Sequence, residues 1–418
     1  MKTPLGLLAV GAALLQAQPA PREAAPPLVL EDLIREALTQ SPEVTAAQKR
    51  YEAARLRPSQ AASLPETMFS AGWNASGRPW PGAGIGTEPI ANAGFMLTQE
   101  FPFPGKRKLR GEVAESEAKA EFESYQAAQL SLVARVKQVW HRLGYTELAE
   151  EVLRRNESLL RRLLRITEIR YASGKAAQQD VFKSQTQLSI LETKLVQLQR
   201  ERGARTAEML SLLNRKPGSA LGHVVMERPR PLARSLEDLF ALAKERSPML
   251  RRDEKVIARN QIALNLARKD VYPDYSVTGG YYNMGAMPDM YMFRVDFKLP
   301  TSWFRKQRPM VAESSAMLAE SRQMLAANAQ SLAFRIQDEY LTAQTAEKLM
   351  RLYEESIVPQ GSLALESSLS SYETGAVELL SVLMNFQTVL DYQLRYYEEM
   401  LSYSLAVARL EELTGARL

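Results

Sequence analysis

Leu30-Glu31-Asp32-Leu33, with Ser41-Pro42 after it, returns as Leu236-Glu237-Asp238-Leu239, with Ser247-Pro248 at the same spacing. The correspondence continues along the chain. Phe101-Pro102-Phe103-Pro104 is answered by Phe297-Lys298-Leu299-Pro300, and Val113-Ala114-Glu115-Ser116 by Val311-Ala312-Glu313-Ser314. Tyr171-Ala172-Ser173-Gly174 is answered by Tyr372-Glu373-Thr374-Gly375. The chain is a duplicated unit, and each half runs short helix, strands, long helix, turn, long helix. This predicts a first repeat over 28–214, a connector over 215–234 and a second repeat over 235–418.

The long helices are legible from their periodicity. No proline occurs from Lys106 to Asn214, and apolar residues recur at steps of three and four, as in Leu132, Val136, Val139, Leu143 and Leu188, Leu191, Leu195, Leu198. That is a coiled-coil seam. The one break is at Gly174, where glycine supplies a left-handed turn. A helix from Lys106 to Tyr171 would be roughly 100 Å long. The second half repeats the pattern from Pro309 to Leu413 with its turn at Gly375, and Pro359 predicts a kink or interruption there.

Strands are predicted between each short helix and the long helix that follows. From Met290 to Leu299, Tyr291, Phe293, Val295, Phe297 and Leu299 share one face, while Met292, Arg294, Asp296 and Lys298 share the other. This alternation suits a wall between lipid and water. Thr67–Gly77, Ala91–Phe101 and Tyr275–Asn283 complete the set, and such strands are long enough to cross an outer membrane when tilted. Four strands do not close a barrel alone, and open edges are not tolerated in lipid. Several copies must therefore share the wall.

Composition narrows the function. Residues 1–17 read as an export signal, with Lys2 before an apolar stretch from Leu5 to Leu15, and 18–27 as a Pro-rich segment. The 418 residues include no cysteine and only two histidines, His141 and His223, which removes most metal and nucleophile–base chemistry. The net charge of +5 is spread over helix faces without a basic cluster interleaved with aromatics, so nucleic acid is not an expected partner. No enzyme activity and no cofactor are expected.

The ordered pairs of motifs resemble the TolC family of outer-membrane efflux proteins, as do the helix ends Leu212-Leu213-Asn214 and Leu413-Thr414-Gly415. Gln99-Glu100-Phe101-Pro102-Phe103-Pro104-Gly105-Lys106 resembles the strand-to-helix junction of the heavy-metal efflux branch, the CzcC- and CusC-like members. The resemblance implies a mainly α chain with a small β part. Duplicated coiled-coil hairpins would form a trimeric α-barrel, and four strands per copy a shared transmembrane β-barrel. It implies outer-membrane location with a large periplasmic portion, and a homotrimer meeting outer-membrane lipid, a periplasmic adaptor and a proton-driven inner-membrane pump. The chain would be a passive, gated exit duct for metal ions or small toxic compounds. The alternatives are a periplasmic adaptor, which carries one hairpin between small β-domains, and a coiled-coil scaffold, which explains neither signal nor strands.

The same resemblance places Tyr171, Ser173, Gly174, Tyr372, Thr374 and Gly375 at periplasmic tips that dock the adaptor. Asp180 matches an acidic position that helps hold the tunnel closed; the second half offers Ser381 there, with Glu378 as a substitute. Met284, Met287, Met290 and Met292 suit soft metals by their sulfur, but read more simply as packing. Trp73, Trp80, Tyr281 and Tyr282 are candidates for an interfacial aromatic belt.

Overall fold

Helix α1 (Leu30–Gln40) stops at Ser41 because the residue before a proline is driven to extended backbone, here φ −66° and ψ 122°. Pro42 then opens α2 (Pro42–Ala62), a position that needs no N–H. The second repeat makes the same corner at Ser247 (φ −62°, ψ 117°), between α5 (Leu236–Arg246) and α6 (Pro248–Lys269). The structure, a computed structural model, describes residues 28–76, 79–226 and 228–418. The expected signal and Pro-rich segments lie outside them.

Strands β1 (Met68–Asn74) and β2 (Asn92–Phe101) precede α3 (Lys106–Ala172) and α4 (Gln178–Leu212). Strands β3 (Asp274–Asn283) and β4 (Met290–Lys298) precede α7 (Gln307–Leu352), α8 (Val358–Thr374) and α9 (Leu379–Thr414). The four strands form one antiparallel sheet in the order β1-β2-β3-β4, so the two hairpins meet at β2–β3. The outer edges of β1 and β4 have no strand partner among the described residues.

Pro359 does not break the helix outright. The chain forms one π-helical turn, Tyr353–Ile357, and continues as α8. The wider turn takes up the missing N–H and ring clash of a proline inside a helix.

Each repeat builds its own core where the short helices meet the long ones. Leu33 and Ala37 pack with Leu132, Val136 and Leu213 in the first. Leu239 and Ala243 pack with Leu332, Ile336 and Leu413 in the second. A third core joins the repeats, with Leu160, Leu163, Leu191 and Leu195 against Leu379, Val382, Phe386 and Leu390. The helical body and the sheet therefore form two ends of one protomer, and both ends bear on function.

Candidate functional site

The register of the sheet sorts its residues by face. Phe69, Ala71, Trp73, Phe95, Leu97, Tyr275, Val277, Tyr281, Tyr291, Phe293, Val295 and Phe297 share one side. Ser70, Asn74, Thr98, Glu100, Ser276, Thr278, Arg294, Asp296 and Lys298 share the other. The apolar side is open, with Tyr291 78% exposed, whereas the polar side is knitted together. Thr98 and Thr278 hydroxyls meet at 3.0 Å, Lys298 donates to Glu100 at 2.5 Å, and Arg294 to Asp296 at 2.9 Å.

Two aromatic rows cross the apolar face. Phe69, Phe95, Tyr281 and Tyr291 run in contact across all four strands, with centroids 6.1, 5.8 and 5.5 Å apart. Phe101, Tyr275 and Phe297 form the second row near the helices, at 5.3 and 6.4 Å. Tyr291 and Phe297 lie six positions apart along β4, about 20 Å of strand. An apolar band between aromatic girdles is the pattern of a barrel wall in lipid. Trp73 and Tyr281 take the expected outward places. Tyr282 is a correction: the period of two turns it to the polar face beside Gly94. Asp289 is engaged inside its hairpin by the Tyr281 hydroxyl at 2.8 Å and the Asn283 amide at 3.2 Å. Met292 lies on the polar face, in register with Gly280 and Met96, away from the Met284–Met287 turn.

The passage from sheet to helix is pinned in the first repeat. Phe103 stacks on Tyr272 with ring centroids 4.6 Å apart. Lys106 is only 3% exposed. Its ammonium donates to Asp274 at 2.9 Å and to the Tyr272 carbonyl at 2.8 Å, with Asp270 at 3.6 Å. Asp274 also accepts the Phe103 N–H at 2.7 Å.

At the opposite end the two tip turns share one backbone design. Gly174 (φ +69°) and Gly375 (φ +88°) take the left-handed conformation. Lys175 N–H donates to the Arg170 carbonyl and Ala376 N–H to the Ser371 carbonyl, each at 2.8 Å, closing the helix ends. Tyr171, Ser173, Gly174, Thr374 and Gly375 are exposed. Tyr372 departs from the expected docking surface. It is 2% exposed, and its hydroxyl donates to Thr167 at 3.3 Å. It supports the tip from within, against Arg170 and Thr167 of α3.

Arg170, which the sequence reading passed over, holds the two tips together. Its guanidinium sits 4.7 Å over the Tyr372 ring and donates to the carbonyls of Tyr372, Glu373 (3.1 Å) and Lys175 (3.2 Å). One signal was available: Tyr171 answers Tyr372, so Arg170 answers Ser371, and only the first repeat ends its long helix with a cation.

Asp180 and Ser381 occupy the same place, three residues past the N-caps Ala177 and Glu378 of α4 and α9. Asp180 is half-buried and makes no side-chain ion pair among the described residues, while Ser381 and Glu378 are exposed. Of the neighbouring leucines, Leu379 and Leu383 are inside the shared core and Leu380 is exposed.

Residues 33–215, nearly the whole first repeat, match the family described as outer membrane efflux protein. Over those residues the chain is similar to outer-membrane efflux proteins. A search of curated proteins returned no match. Among solved structures, the fold is similar to that of CusC, at 14% identity, TM-score 0.79, with 93% of this chain and 92% of that chain covered. It is similar to VceC of Vibrio cholerae at 19% identity, TM-score 0.79, covering 93% and 96%. It is also similar to MtrE of Neisseria gonorrhoeae, described as an open outer membrane channel, at 16% identity, TM-score 0.71, covering 93% and 89%. The chain therefore shares the fold of these outer-membrane channels along nearly its whole length. No helix among the described residues is long and apolar enough to cross a membrane.

Proposed function

We propose that three copies close one duct, each giving four strands to the membrane wall and its long helices to a periplasmic tunnel. The supporting observation is the sheet itself. It has one apolar face, one polar face and two edges that hydrocarbon does not tolerate unpaired. On this reading the building units are the repeats 28–214 and 235–418, joined by the connector 215–234.

The duct is passive. An inner-membrane pump, proton-driven, supplies the work, and a periplasmic adaptor joins the two. Cargo is metal ions or small toxic compounds, chosen by the pump. The adaptor meets the tips at Tyr171, Ser173, Gly174, Thr374 and Gly375, with Tyr372 beneath them. Asp180, Glu378 and Ser381 line the constriction just past the turns, where α4 and α9 begin.

Replacing both Gly174 and Gly375 with Val tests the docking. A β-branched residue is strained at positive φ, so both tips distort while the sheet, at the other end, is untouched. Efflux is expected to fail with normal levels in the outer membrane. Full efflux from the double variant would remove the tips from the adaptor interface.

A further inference from the structure

The two helices that leave the sheet begin with the wrong charge. Helices α1 and α5 carry Glu31, Asp32 and Glu237, Asp238 in their first turns, which complement the positive end of the helix dipole. Helices α3 and α7 carry no acid there. Lys106-Arg107-Lys108 opens α3, with Arg110 just after, and Arg305-Lys306-Gln307-Arg308 straddles the start of α7.

Some of these cations are satisfied within the protomer. Lys106 is held by Asp274, and Arg107 donates to the Ala62 carbonyl at 2.9 Å. Lys108 is exposed, with Glu112 at 3.7 Å. Arg305, Lys306 and Arg308 are all exposed and make no ion pair among the described residues. Three unpaired cations at an unfavourable helix end call for an anion from outside.

What precedes them indicates its source. The outward residues of β4 continue through Leu299, and Trp303 and Phe304 follow, Phe304 being 74% exposed. Along the chain the order is apolar, aromatic, cationic. Across a leaflet the order is hydrocarbon, interface, phosphate. We propose that Arg305, Lys306 and Arg308, with Lys108 at the other junction, bind the phosphates of anionic phospholipids in the leaflet facing the helices. Trp303 and Phe304 sit at headgroup level. The proposal rests on the reading of the sheet as a membrane wall. It fixes the depth of the duct at the sheet-to-helix border through charge as well as hydrophobicity.

Native mass spectra of the full chain in detergent, with phosphatidylglycerol or phosphatidylcholine added, test it. The wild-type protein is expected to retain phosphatidylglycerol at least roughly tenfold more tightly, with the preference shrinking in high salt. Arg305→Gln/Lys306→Gln/Arg308→Gln is expected to lose most of that preference. No preference in the wild type, or an undiminished one in the variant, overturns the proposal. So does a variant that keeps the preference but falls apart into single copies in lipid-free detergent, since the cations would then pair with acids of a second copy. Flotation with pure phosphatidylcholine vesicles separates the two levels of failure. A protein that inserts but shows no anionic preference overturns the lipid site alone; one that never inserts overturns the wall as well.

Discussion

The two repeats have the same backbone plan and opposite burial at both of their ends. At the tips, Tyr171 points to solvent, while Tyr372 is sealed under Arg170. At the junctions, the first repeat buries Lys106 between two aspartates, while the second leaves Arg305, Lys306 and Arg308 open. A duplicated sequence thus dictates where helices begin and end. Which side chain is covered depends on the one neighbour each repeat meets, and the two repeats meet different ones.

Removing Lys106 should give the largest effect. Lys106→Met leaves Asp274 and the Tyr272 carbonyl without their buried cation, a loss of about 3–5 kcal/mol, while neutralising Arg305, Lys306 and Arg308 should change folding stability by no more than about 0.5 kcal/mol. Thermal unfolding in detergent reads both. Equal shifts would mean that the junctions are alike after all.

The tips sharpen the same contrast. Tyr372→Ala is expected to cost about 3 kcal/mol of local stability and Tyr171→Ala within about 0.5. Hydrogen exchange over residues 371–376 and 172–177 measures each. Fast exchange at the second tip should also follow Arg170→Ala, because three carbonyls lose a charged donor.

The mid-helix position differs too. By the Leu132–Leu332 and Val136–Ile336 correspondence, His141 answers Leu341, which is exposed. Burial, with the Lys137 charge beside it, pushes the His141 imidazole down from 6.5 to about 4. Between those values the unfolded chain takes up a proton that the folded chain refuses, so stability rises with pH. About 3 kcal/mol, present in full above pH 6.5, is lost as pH falls toward 4. His141→Gln should flatten that slope in unfolding measured from pH 7 to 4; an unchanged slope would place the titration on another group.

The smallest effect expected is at the constriction. Asp180→Ala should raise single-channel conductance in planar bilayers and Ser381→Ala should leave it nearly unchanged, because only the first repeat places a carboxylate three residues past its N-cap. Equal, negligible changes would move the closure to exposed apolar groups such as Leu380.

Much of this was readable beforehand, for a physical reason in each case. The proline-free stretch and its steps of three and four located both ends of α3 to within a residue and the end of α4 to within two, and the glycines located both turns. Alternation located β2, β3 and β4; β1 is shorter than the stretch from Thr67 to Gly77 because pairing with β2 ends at Asn74. The aromatic rows were less visible, since they join residues far apart in sequence and only the register aligns them. Arg170 was hidden among Arg161, Arg162 and Arg165, a run that reads as a solvated helix face. Pro359 announced an irregularity, but its form, a π-turn instead of a sharp kink, depends on how α7 and α8 both pack on α9.

The mass of the species extracted from the outer membrane tests most directly whether copies share the wall. Native mass measurement after mild cross-linking is expected to give three copies of the chain, because both sheet edges need a partner in lipid. A single copy, stably inserted and conducting, would contradict it.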